Sequence, residues 1–216
     1  MNLRSRPFPV VIAAPSGAGK TTLARALVER SADIEFSVSA TTRPPRTREA
    51  NQRDYLFVSD AEFDRMIAAG ELLEWAKVHH YRYGTPRQAV AAALQRGKLV
   101  LLDIDVQGAR QVRDAFADAV LVFVLPPSIQ ELNRRLAGRG SEKADELRAR
   151  LATARTELAA AEEFDYIVLN DNFENAVKTL QAILAAERQR ASRIEDFSSG
   201  VDDMRAELAT ILKESD

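Results

Sequence analysis

Phe8-Pro-Val-Val-Ile-Ala-Ala-Pro-Ser-Gly-Ala-Gly-Lys-Thr21 joins a continuous, β-branched apolar run to a loop of small residues. The helical spacing of Leu23, Leu27 and Val28 follows at once. An apolar run without polar alternation is what a strand buried on both faces requires, so the stretch reads as strand, loop and helix, the opening of an α/β unit. Leu99-Val-Leu-Leu102, Ala119-Val-Leu-Val-Phe-Val-Leu125 and Tyr166-Ile-Val-Leu169 repeat the pattern. The first two lead into helical sequence and the third repeats the arrangement, which predicts a largely parallel sheet.

The loop itself has a definite chemistry. Gly17 and Gly19 let successive backbone N–H groups face inward, and the N-terminus of the following helix adds about half a positive charge. Ala14, Pro15, Ser16, Gly17, Ala18, Gly19, Lys20, Thr21 and Thr22 therefore form a candidate anion cradle. Lys20 is placed for β and γ phosphates, and the Thr21 hydroxyl for magnesium. The strict GxxxxGK(S/T) pattern fails at its first position, where Ala14 stands. A second element, Leu101-Leu-Asp-Ile-Asp105, ends a buried strand where ligands of open α/β sheets collect. Asp103 or Asp105 can orient magnesium-bound water while the other fixes an arginine or a nucleoside; the sequence does not rank them, and Asp103 is taken first as the metal-side group.

Two stretches break the strand and helix rhythm. Residues 37–92 hold polar turns, a short strand over Tyr55 to Val58, and aromatic and carboxylate residues, and read as a mixed insertion. Residues 128–163 form an Arg-rich helical stretch broken at Gly138-Arg-Gly140. The core is then expected in residues 1–36, 93–127 and 164–197. Residues 198–216 carry a helical apolar stripe, Val201, Met204, Leu208, Ile211 and Leu212, that must cover something, a candidate homo-oligomer contact.

The bulk properties bound the function. The 216 residues are 46% apolar and 29% charged, enough for a sizeable core. A net charge of -2, from 30 basic and 32 acidic residues, gives no general attraction to nucleic acid or anionic lipid, so any anion site is local. The chain has no cysteine, which removes disulfide frameworks, thiolate metal sites and cysteine nucleophiles. The apolar run Val10 to Ala14, behind Arg4 and Arg6, is too short for a signal segment or membrane span, and a cytoplasmic protein is expected.

Several blocks in common order carry a resemblance over nearly the whole chain: Ala14 to Lys20, Ser39-Ala-Thr-Thr-Arg-Pro-Pro-Arg46, Asp54-Tyr55, Leu73-Glu-Trp75, Tyr83-Gly-Thr85, Leu102-Asp-Ile-Asp-Val-Gln-Gly108 and Arg135-Leu-Ala-Gly-Arg-Gly140. The chain resembles the guanylate kinases of the bacterial type. That resemblance implies an α/β fold in which a parallel-sheet P-loop NTPase core bears an inserted mixed α/β GMP-binding domain and a helical lid. It implies transfer of the γ-phosphoryl group of ATP to GMP, with Mg2+, giving ADP and GDP. On the family pattern Arg43, Arg46, Tyr55 and Tyr83 hold the GMP phosphate, matching the preference of guanidinium forks and phenol donors for phosphate oxygens. Glu74, with Thr85 and Ser39, accepts from the ring N–H and exocyclic amine of guanine, a donor pair that adenine lacks. Arg135, Arg139 and Arg150 are the lid arginines on the ATP phosphates; Arg134, Arg148 and Arg155 read as solvated. Asn170 matches a residue near adenine, or is a turn asparagine.

Departures from the family pattern lie in loops. Arg48 and Gln52 stand where glycines are usual, so that turn is expected to take another path. His79-His-Tyr-Arg82 replaces a common Gly-Asn segment, and Asn172 replaces an aspartate. His79 and His80 are adjacent, without a second ligand group, and read as loop or surface residues. The alternative in another class is a silent binding module, which could lose Lys20, Thr21 and the lid arginines; this chain keeps them.

Overall fold

The computed structural model describes residues 4–47, 49–78, 80–137 and 144–214. In chain order its elements are β1 (Pro9–Ala13), α1 (Lys20–Glu29), β2 (Ile34–Phe36), β3 (Ala40–Thr41), β4 (Leu56–Phe57), α2 (Asp60–Ala68), β5 (Leu72–Val78), β6 (Tyr81–Pro86), α3 (Arg87–Gln95), β7 (Leu99–Asp103), α4 (Val106–Ala115), β8 (Val120–Leu125), α5 (Ile129–Ala137), α6 (Ala144–Ala159), β9 (Tyr166–Leu169), α7 (Phe173–Arg188) and α8 (Phe197–Glu214). They divide into two units, Pro7–Leu180 and a second formed by residues 4–6 with 181–214, the boundary falling within α7.

In the first unit a five-stranded sheet has the order β2-β7-β1-β8-β9, and every pairing is parallel. Every residue of β1 is buried, as its unbroken apolar run requires between two neighbours and two covered faces. Val90 and Ala93 of α3 and Ala109 and Val112 of α4 pack against Val11, Val100, Leu102 and Leu121 of this sheet. The register pairs Ile12 with Asp103, so the chain leaves β1 and β7 at the same edge. The loops after both strands therefore face one crevice, the ligand side of an open parallel sheet.

Between β2 and β7 the chain builds a second sheet of order β4-β3-β6-β5. Its core is Ala40, Phe63, Met66 and Leu72, with Leu56, Val58 and Ile67 against it. Helix α2 starts at Ser59, whose Oγ accepts the Glu62 N–H at 3.1 Å. This mixed arrangement agrees with the fold class expected from the sequence. Some of the departures described above have local contacts. Arg82 bonds Asp60 at 2.7 Å, pairs with Asp64, and stacks 4.8 Å over the Phe63 ring, so it fastens β6 to α2. His80 is exposed in the turn between β5 and β6, and His79 and Arg48 lie outside the described residues. Asn172 caps α7 by accepting the Asn175 N–H at 3.1 Å, a task asparagine performs as well as aspartate.

In the second unit Arg193 and Glu187 are both buried and bond each other at 2.9 Å, and the Arg6 N–H donates to the Arg193 carbonyl at 2.8 Å. Helix α8 presents Met204, Leu208, Ile211 and Leu212 at 50%, 58%, 52% and 66% exposure. Among the described residues no helix is long and apolar enough to cross a membrane.

Gln52 has φ 64°, and its N–H donates to the Tyr55 carbonyl at 2.8 Å. Gln52 thus adopts a left-handed conformation suited to glycine, at a steric cost to a side chain. Gln52→Gly is expected to stabilise the protein by about 0.5–1 kcal/mol in denaturant unfolding; destabilisation would show that the glutamine relieves more strain than it adds.

Candidate functional site

The loop between β1 and α1 turns on two glycines at φ 92° and 93°, Gly17 and Gly19. Ala14 is buried and its φ is not positive, so a Cβ is tolerated where the strict loop pattern has glycine. Gly19 is required for a second reason: a Cβ there would lie 2.6 Å from Asn170 Nδ2. That amide is buried and donates to the Ala18 carbonyl at 2.7 Å. Asn170 therefore braces the loop through its side-chain amide.

The two aspartates that the sequence left unranked separate clearly. Lys20 Nζ lies 2.8 Å from Asp103 Oδ1 and donates to the Ile104 carbonyl at 2.6 Å. Thr21 Oγ1 donates to Asp103 Oδ2 at 2.5 Å. Asp105 instead caps α4, accepting the Gly108 N–H at 2.9 Å. Asp103 thus belongs to the loop and Asp105 to the helix. Among the described residues no three His, Cys, Asp or Glu groups converge as a cage. A hydroxyl and a carboxylate side by side do fit Mg2+, which keeps most of its water and takes few protein oxygens.

A cavity of about 290 Å³ opens from this loop and is also lined by Ser39, Tyr55, Glu74, Tyr83, Asp103, Asp105 and Glu157. The phosphate-type cradle thus shares one space with Ser39, Tyr55, Glu74 and Tyr83 of the residues expected to bind an acceptor, whereas Arg43, Arg46 and Thr85 are not among its lining. Tyr55 and Tyr83 stack edge to face with centroids 6.0 Å apart, and burial pushes the Tyr55 phenol up, keeping it a neutral donor. Arg43 is 8% exposed and lies 5.3 Å over the Tyr55 ring. Its Nη2 donates to both oxygens of Glu49 at 2.9 Å, and Glu49 also accepts the Arg46 N–H at 2.8 Å. Burial acts to raise the Glu49 carboxyl, yet these two donors hold it below its usual value. Arg46 is exposed on the same loop.

Glu74, on β5, is only 3% exposed and accepts from the buried Thr85 hydroxyl at 2.6 Å. Burial pushes its carboxyl up to about 7, with the charge of Asp105 adding to the rise and the Thr85 bond opposing it. A buried carboxylate with one partner has acceptor capacity left over, which suits a ligand bearing paired N–H donors.

From α5, Arg135 is held by Glu131 at 2.7 Å and reaches the Ala18 carbonyl at 3.4 Å. Arg150 is half-buried on α6, and Arg139 lies outside the described residues. Arg134 is solvated, with its side chain 75% exposed, and Arg148 and Arg155 are exposed. Two carboxylates escaped the sequence reading. Glu157 accepts the Ser16 N–H at 3.2 Å, and burial raises its pKa. It follows Arg150 by two helical turns, a spacing that would have put it on the same face. Glu49 stands three residues after Arg46 and gave no signal beyond that proximity.

Comparison with known proteins places the chain among related ones. The guanylate kinase family model matches residues 6–187. A guanylate kinase of Rhodopseudomonas palustris is 48% identical over 94% of this chain and 93% of its own. One from Polaromonas sp. is 48% identical over 87% of this chain and 93% of its own. The crystal structure of guanylate kinase from Anaplasma phagocytophilum superposes with a TM-score of 0.79 at 33% identity, covering 93% of this chain and 96% of that one.

The raised Glu74 pKa has a definite sign for stability. The folded state prefers the protonated acid, so stability is full below the ordinary carboxylate pKa and is lost as pH rises through about 7. At pH 8 Glu74→Gln is expected to stabilise the ligand-free protein by on the order of 1–3 kcal/mol, the gain shrinking toward pH 5. Thermal melts at the two pH values measure it, and a gain independent of pH would contradict a charge-burial cost.

Proposed function

The chain belongs to the guanylate kinase family, and from that premise we propose how its own residues carry the reaction. It is an ATP:GMP phosphotransferase: an oxygen of the GMP phosphate attacks the γ-phosphorus of ATP, and ADP leaves. The observation that carries the assignment of residues is the single cavity bounded by the Lys20 loop on one side and by Glu74, Tyr55 and Tyr83 on the other.

On the donor side the loop of residues 14–19 and the start of α1 hold the phosphates, with Lys20 on the β and γ oxygens. Lys20 is oriented beforehand by Asp103 and the Ile104 carbonyl. Thr21 Oγ1 and Asp103 would hold Mg2+, which when bound neutralises charge shared between the β and γ phosphates. Arg135, Arg139 and Arg150 of the lid, residues 128–163, add positive charge around the moving group and exclude water on closing. Asn170 serves by keeping the Ala18 carbonyl, and hence the loop, in place.

On the acceptor side, in residues 37–92, Arg43, Arg46, Tyr55 and Tyr83 take the GMP phosphate. Arg43 needs no large rearrangement, because Glu49 and the Tyr55 ring already fix its plane. Glu74 accepts from the guanine ring N–H and amine, Thr85 orients Glu74, and Ser39 borders the same space. Adenine would leave this buried acceptor unpaired, a penalty that separates substrates by powers of ten. No protein acid, base or covalent nucleophile enters. The absence of cysteine and of any general basic excess supports a cytoplasmic setting with small nucleotides as the partners.

Lys20→Ala is expected to lower kcat by about a hundredfold or more while GMP still binds by calorimetry; near-normal turnover would remove Lys20 from the transfer. The exposed stripe on α8 supports a contact between copies of this chain. Deleting residues 198–216 is then expected to lower the mass measured by light scattering, and an unchanged mass would end that reading.

A further inference from the structure

The floor beneath the base-recognition carboxylate is a glycine, and we propose that Gly108 is the position that sets base specificity, by leaving out the one carbon that would displace Glu74. The inference rests on the reading of Glu74 as the acceptor of guanine. Gly108 is buried in the first turn of α4, with no positive φ, so nothing in its backbone demands glycine. An alanine there would be favoured by helix propensity. Space forbids it: a Cβ would lie 2.4 Å from Glu74 Oε2, 3.1 Å from Glu74 Cδ and 3.3 Å from Ile104 Cδ1.

What gives way under that clash is decided by the neighbours. Helix α4 is anchored at this turn, since Asp105 caps it through the Gly108 N–H. Strand β5 cannot retreat either, because Gln111, one turn further along α4, brackets the residue after Glu74. Its Oε1 accepts the Trp75 N–H at 3.1 Å, and its Nε2 donates to the Trp75 carbonyl at 2.8 Å. Helix and strand are thus held at a fixed spacing on either side of the contact. The movable part is the end of the Glu74 side chain, and moving it strains or breaks the 2.6 Å bond from Thr85. A methyl group at position 108 therefore re-aims the carboxylate and little else.

The test separates this role from a merely structural one, because specificity and stability are expected to move apart. In Gly108→Ala the KM for GMP is expected to rise at least about tenfold, and the GMP:AMP ratio of kcat/KM to fall at least about tenfold. The KM for ATP should stay within about twofold, and the Tm should be unchanged or higher. Combining Gly108→Ala with Glu74→Asp, which withdraws the carboxylate by one methylene, should give strongly non-additive effects on the GMP:AMP ratio. GMP parameters within about twofold of the parent, additivity in the double variant, or a parallel loss of both substrates with a lowered Tm would each overturn the proposal. Glu74→Ala distinguishes the levels: if it erases the preference and Gly108→Ala does not, the role of Gly108 alone fails. If Glu74→Ala leaves the preference intact, the underlying reading of Glu74 fails.

Discussion

The parallel pairing of β1 with β7 is the constraint on which the site depends. Its register sets Ile12 beside Asp103, and each strand releases its chain at the same edge of the sheet. One strand there delivers the loop ending in Lys20 and Thr21, and the other delivers the carboxylate that both of them contact. A shift of one residue would turn Asp103 to the opposite face, because side chains alternate along a strand. The ammonium would then lose its partner in a partly desolvated place. The ion pair is more an orienting device than a source of stability, since taking both charges from water offsets much of their attraction.

The acceptor side works by a different economy of charge. Arg43 and Glu49 form a nearly buried pair whose carboxylate also receives the Arg46 N–H. The guanidinium is thereby held over the Tyr55 ring. Glu74 is the opposite case, a buried carboxylate whose cost of burial is only partly offset by the Thr85 bond and the charge of Lys20. Such a group is costly in the empty protein and useful in the filled one. On the proposed reading, its unmet acceptor capacity is a cost that guanine removes and adenine leaves standing.

The phosphate loop is also fixed by side chains from outside it. Arg135 and Asn170 both address the Ala18 carbonyl, and Glu157 takes the Ser16 N–H. They hold the loop at several points and leave the remaining amides to the ligand, which is how a preorganised electrostatic site is kept from relaxing around its own charges.

Much of this was legible in the residues alone. The parallel core followed from apolar runs that do not alternate, and the phosphate loop from small residues set between a strand and a helix. Both are local patterns, enforced by backbone hydrogen bonding and by sterics within a few positions, and the resemblance of spaced blocks supplied the acceptor side. Tertiary structure alone decided which of Asp103 and Asp105 meets Lys20, what Asn170 braces, that Glu49 pairs with Arg43 and Glu157 lines the cavity, and why a side chain at position 108 would crowd Glu74. Each of these is a contact between residues far apart in the chain, fixed by strand register and by the spacing of a helix against a sheet. A linear sequence carries the residue types for such contacts but not the distances between them.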